Sequence, residues 1–150
     1  MKKALVAALF AFIATPAEAD EVVCLAKNIY YEARNQDLSG MYAVAEVTLN
    51  RVDDKRWPNK VCDVVKQRKI VGNQWICQFS WFCDGLSDKP KDKYYWNVSY
   101  TVAAVTLQQR GLSNVSSDTY WYHSDKVSPY WADAYTATAV IGNHIFYSDR

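Results

Sequence analysis

The stretch Asn28-Ile-Tyr-Tyr-Glu-Ala-Arg34 holds the residue best suited to move a proton, Glu32. Residues 21–34 place Val22, Leu25, Ala26, Ile29 and Ala33 on one helical face. At about 100° per residue, Glu32 falls roughly 80–100° from the centre of that face, between core and solvent. A carboxyl group on such a border, with aromatic neighbours, is partly desolvated. Desolvation disfavours the charged form and raises the pKa, as a general acid at neutral pH requires. The plain alternative is a solvated acid paired with a nearby Arg or Lys.

Other chemistry-bearing residues are few. Cys24, Cys62, Cys77 and Cys83 are an even set, which in an exported protein reads as two disulfides. Three connectivities exist. Spacing favours Cys77–Cys83 as a local staple, with Cys24–Cys62 joining the first helix to the third segment. Zinc is the competing reading, but no Cys-x-x-Cys pair occurs, and His123 and His144 lie far apart in sequence. Cys24 with His123 also leaves open a cysteine peptidase or amidase. Cys77-Gln-Phe-Ser-Trp-Phe-Cys-Asp-Gly85 is an aromatic strand or tight loop between cysteines; an ordinary hairpin with a local disulfide is the alternative.

These residues need elements to hold them. Lys2 and Lys3, the apolar run 4–14 and Ala17-Glu18-Ala19 read as a secretory signal peptide, residues 1–19, cleaved after Ala19. The run is too short for a stable membrane anchor. Residues 20–150 then form one domain of 131 residues, secreted or periplasmic. Cleavage removes Lys2, Lys3 and Glu18 from 17 basic and 16 acidic residues, leaving 15 of each. That balance argues against a nucleic-acid partner. Aromatics make up 15% of the chain, with 6 Trp and 11 Tyr, enough to line a sugar-stacking groove or simply to fill a core.

In chain order, Asp37 or Ser39 caps a helix over 40–52, with Met41, Val44, Ala45, Thr48 and Val52 on one face and Glu46 solvated. Asn59 starts a short helix holding Val61, Val64 and Val65. Residues 68–76 are ambiguous around a Gly72-Asn73 turn. A longer helix follows Asp92, with Tyr95, Val98, Val102 and Val105 on one face and Gly111 as its C′ residue. Residues 118–123 are β-prone, 127–131 form a loop, and 134–141 and 145–147 pair across Gly142-Asn143. N-terminal helices followed by a small C-terminal antiparallel sheet make an α+β fold.

The order of these pieces resembles the SleB/CwlJ-type cell wall hydrolases. The matching strings are Asn28–Arg34, Ala43-Val-Ala-Glu-Val-Thr-Leu-Asn-Arg-Val52, Trp57-Pro58 leading to Val61-Cys62, and Gln78-Phe-Ser-Trp81. They continue with Tyr122-His123, Val127-Ser-Pro129, Trp131, Ile141-Gly-Asn-His144 and Phe146-Tyr147, collinear over the mature chain. The resemblance implies a lysozyme or lytic-transglycosylase-like domain that cleaves peptidoglycan glycan strands, with Glu32 as the catalytic acid and no cofactor or metal. The bond is the one between N-acetylmuramic acid and N-acetylglucosamine.

A lone glutamate suits a lytic transglycosylase; a hydrolytic muramidase needs a second carboxylate, for which Asp84, Asp125 and Asp133 are candidates. Gln78 and Ser80 would hydrogen-bond acetamido or hydroxyl groups, and Phe79, Trp81, Tyr122 and Trp131 would supply rings. His123 would orient Glu32 or touch substrate, while Asn143 and His144 are structural. The domain is expected to act as a monomer. A non-catalytic glycan-binding wall protein is the reading from outside enzymes.

Overall fold

The computed structural model describes residues 15–149. Most of the expected signal peptide, residues 1–14, therefore lies outside the described residues. Its last residues open the first helix, α1 (Pro16–Ala33). Thr15 and Glu18 form a capping box there. The Thr15 hydroxyl accepts from the Glu18 amide at 3.4 Å, and Glu18 Oε2 accepts from the Thr15 amide at 2.8 Å. The expected cleavage point after Ala19 falls one turn into this helix. Leu25, Ala26, Ile29 and Ala33 are fully buried, on the face that their spacing predicts.

The second helix, α2 (Leu38–Asp53), is capped by Asp37, whose Oδ1 accepts from the Gly40 amide at 2.9 Å. It is not half-solvated, as the periodicity suggests, but buried from Met41 to Arg51 apart from Tyr42. Met41, Val44, Ala45 and Leu49 pack into the helical core, while Ala43 and Val47 pack against Ile141 and Phe146 of the sheet. The helix is thus sandwiched between two layers.

Two corrections follow from that position. Glu46, expected in solvent, is 3% exposed. It accepts from Arg110 Nε at 2.8 Å and from the amides of Gly111 and Leu112 at 2.6 and 3.2 Å. The short helix α3 (Val61–Val65) is not capped by Asn59. Its N-cap is Lys60, and its free amides at Val61 and Cys62 are taken by the Glu21 carboxylate of α1, at 2.6 and 3.4 Å.

The ambiguous residues 68–76, with Cys77, form a two-stranded hairpin, β1 (Arg68–Val71) and β2 (Gln74–Cys77), turning at Gly72 with φ +61°. A 3₁₀ turn, Ser80–Cys83, follows, the tight loop of the two readings left open for this stretch. The fourth helix, α4 (Lys93–Gln108), is capped by Asp92. Its buried residues are Ser99, Val102, Ala103 and Thr106, a face turned from the expected one through Tyr95, which is 39% exposed. Small side chains win that face because they let helices approach closely. Gly111 lies two residues past the Gln109 C-cap, at C″ and not C′.

The C-terminal sheet has the order β3 (Thr119–Ser124), β5 (His144–Ser148), β4 (Thr136–Ile141), all antiparallel. Both disulfides join the pairs that spacing favoured: Cys24–Cys62, with Cα atoms 5.1 Å apart, and Cys77–Cys83.

Candidate active site

Glu32 sits at the last turn of α1, half-buried, where helix and sheet meet. Tyr122 of β3 reaches across and donates its hydroxyl to Glu32 Oε2 at 3.0 Å. Burial pushes the Glu32 carboxyl above the ordinary carboxylate range; the Tyr122 hydrogen bond and the Arg51 cation pull in the opposite direction. Tyr122 is itself raised well above the ordinary phenol value by burial and by Glu32, so it stays a donor. The ion pairs within 4 Å among the described residues involve Arg56 and Arg110, not Glu32.

The polypeptide fixes this pair from several sides. The loop after Glu32 is tied to the β4–β5 turn: Gln36 Oε1 accepts from the Asn143 amide at 2.8 Å. The turn passes through Gly142 at φ +57°, and Gln36 occupies the space a Cβ there would need. The end of α2 holds the start of β3. Asn50 Nδ2 donates to the carbonyls of Ser116 and Thr119 at 2.9 and 3.0 Å, and Arg51 Nε donates to that of Tyr120 at 2.8 Å. His144 packs edge-to-face on Tyr122, centroids 5.2 Å apart, and burial holds its pKa below the ordinary imidazole value.

The other expected site residues divide. Gln78 and Ser80 are exposed, and no hydrogen bond among the described residues joins either to Glu32. Phe79 and Trp81 are not exposed rings: they are 3% and 7% exposed and offer no open face for a sugar. They support from behind. Trp81 Nε1 donates to Asn28 Oδ1 at 3.1 Å, Asn28 Nδ2 donates to Thr48 Oγ1 at 3.1 Å, and Phe79 lies 5.3 Å from the Arg51 guanidinium.

His123 does not orient Glu32. Adjacent strand residues point to opposite faces, so its neighbour Tyr122 takes that place. The His123 ring contacts Tyr147 Oη and the Ser124 carbonyl, each at 2.8 Å. Trp131 packs on the same outer cluster, 5.5 Å from His123 and 5.6 Å from Tyr147.

All four sulfurs are in disulfides, which rules out Cys24 as a nucleophile and leaves no thiolate for zinc. Asp84 accepts from the Leu86 amide at 2.7 Å within its own loop, and Asp125 acts on His144; neither is among the charges acting on Glu32. Two cavities, of about 460 and 320 Å³, lie beside the Cys24–Cys62 disulfide and beside Leu38 and Tyr94, and Glu32 lines neither.

Arg51, Asn50, Asn28 and Gln36 were not singled out from sequence. A signal for the α2 residues existed. A helix with apolar residues on both flanks has no face left for water, so its polar residues must find partners inside.

The family model described as "Cell Wall Hydrolase" matches residues 35–147. The chain belongs to the cell wall hydrolase family. The family match begins just past Glu32, so that carboxylate is singled out by its geometry. Two solved structures share the fold. The catalytic domain of the germination-specific lytic transglycosylase SleB from Bacillus anthracis is 20% identical, with a TM-score of 0.67 over 93% of this chain and 100% of that one. The catalytic domain of the Bacillus cereus SleB protein is 23% identical, with a TM-score of 0.59 over 86% and 91%. No curated protein matches. The fold of this chain is therefore the expected α+β, lytic-transglycosylase-like arrangement. Among the described residues no helix is long and apolar enough to cross a membrane.

Proposed function

We propose that this cell wall hydrolase is exported and cuts peptidoglycan glycan strands between N-acetylmuramic acid and N-acetylglucosamine, as a lytic transglycosylase with Glu32 as its acid and base. The observation that carries the reading is the half-buried Glu32 carboxyl, raised in pKa by burial and held by the Tyr122 hydroxyl at 3.0 Å. It is supported by the solved SleB domain of the same fold, which is described as a lytic transglycosylase.

Glu32 delivers its proton to the glycosidic oxygen as the C1–oxygen bond breaks and positive charge develops at C1. The carboxylate that forms is stabilised by the Tyr122 O–H. The muramic acid O6 then attacks C1, and Glu32 takes back the O6 proton. A 1,6-anhydro ring forms, no water is consumed, and the enzyme is regenerated. A single carboxyl group suffices, because the attacking oxygen belongs to the substrate. In this reading the exposed Gln78 and Ser80 contact acetamido or hydroxyl groups.

Mass spectrometry of purified sacculi after digestion tests this reading. Anhydromuramyl ends are expected. Reducing ends would make the enzyme a hydrolytic muramidase, cut peptides an amidase, and unaltered sacculi that still sediment the protein a binding module.

A further inference from the structure

We propose that Arg51 is a positioning residue for Glu32: its buried guanidinium holds the strand that carries Tyr122 and supplies the positive charge that favours Glu32 in its ionised form. This goes beyond the proposed function and rests on Glu32 being the acid.

Arg51 is 3% exposed. Among the described residues no carboxylate lies within ion-pair distance of it. Nε donates to the Tyr120 carbonyl at 2.8 Å, the Phe79 ring centroid lies 5.3 Å from Cζ, and Nη1 finds no hydrogen-bond partner in the protein. A buried cation without an ion-pair partner is expensive unless an opposite charge lies within electrostatic reach. The carboxylate whose charge acts on Arg51 is Glu32. Burial brings the Arg51 pKa down to about 10, still well above neutrality, so the group remains cationic.

Tyr122 is two residues along β3 from Tyr120, whose carbonyl Arg51 grips. The guanidinium therefore acts on Glu32 in two ways: mechanically, through the placement of the Tyr122 hydroxyl, and electrostatically, through its charge. Burial alone would hold Glu32 protonated and make its proton hard to release. A fixed cation behind the carboxyl eases release when the glycosidic oxygen takes that proton, and it needs no reorganisation to do so. The titratable and charged groups facing Glu32 are Tyr122 from β3 and Arg51 from α2, with His144 from β5 behind Tyr122.

The test pairs Arg51→Gln, which keeps a donor but no charge, with Arg51→Lys, which keeps the charge. The Glu32 carboxyl carbon is titrated by NMR in 13C-Glu-labelled protein, and kcat and KM are measured against pH on purified sacculi. In Arg51→Gln the Glu32 titration and the alkaline limb of kcat should both move to higher pH. There kcat should fall roughly tenfold with KM unchanged, as for a group that acts only on the chemical step. In Arg51→Lys both should stay at the wild-type position.

An unmoved titration in folded Arg51→Gln overturns the proposal, and so does a shift in Arg51→Lys as large as that in Arg51→Gln. If Arg51→Gln does not fold, Arg51→Lys alone still decides: a retained titration supports the charge role and a displaced one refutes it. The carboxyl titration is independent of turnover. A wild-type protein with no glycan cleavage would therefore sink the function and leave the electrostatic coupling measurable.

Discussion

The Glu32–Tyr122 contact joins residues 90 positions apart, and two predictions belong to it. Glu32→Gln keeps the shape and removes the acid, so glycan cleavage on sacculi should fall by a factor of at least about 100. The same variant reports on stability. Burial raises the folded-state pKa of Glu32, so the folded protein binds that proton more tightly than the unfolded chain. Its contribution to stability is full below the unfolded carboxyl pKa and is lost as pH rises through the folded value. Glu32→Gln should therefore melt above wild type at pH 7 and level with it in acid; calorimetry at two pH values checks this. Tyr122→Phe removes a charge-assisted donor. That should lower kcat roughly tenfold to a hundredfold and move the alkaline limb upward, because the carboxylate loses its stabilising hydrogen bond. An unshifted limb would show that Tyr122 only packs.

The element that decides the site is α2, whose polar residues from Glu46 to Arg51 are buried. Glu46 takes Arg110 and two amides of the segment that leads into β3, and Asn50 takes two more carbonyls of that segment. Glu46→Ala would leave the two amides unsatisfied and Arg110 with only its outer partners. Arg110 is part-exposed, so its ion pair is discounted. The loss should still be about 2–3 kcal/mol, read from chemical denaturation. Asn28→Ala breaks the chain from Thr48 through Asn28 to Trp81 and should weaken the support beneath the segment bearing Gln78 and Ser80. Helix ends and hydrophobic spacing predicted α1, α2 and α4 to within a few residues. They did not reveal that α2 is covered on both sides, because periodicity within one helix says nothing of how many layers surround it.

For the whole molecule, the Cys24–Cys62 disulfide ties α1 to α3 across a sequence separation of 38. Replacing both cysteines by serine should cost about 4 kcal/mol in the chain-entropy picture. Thermal melts with and without the bridge measure it; an unchanged melting temperature would mean that the Glu21 cap and the apolar contacts of α3 hold that corner alone. The outer face of the sheet, with His123, Trp131 and Tyr147, is a ring cluster separate from Glu32. The residues expected at one site are thus distributed over two faces of β3, since alternation along a strand parts neighbours that sequence places together.

The amino-acid sequence alone determined the order of the main helices and of the C-terminal strands and the family likeness, favoured the cysteine pairing that forms, and pointed to Glu32 as a candidate. All of these follow from local periodicity, spacing and motif order. Only the tertiary structure decided what surrounds that carboxyl group. Tyr122 and Arg51 come from elements remote in the chain, and their effect on a proton depends on distance and burial, which no string of residues records.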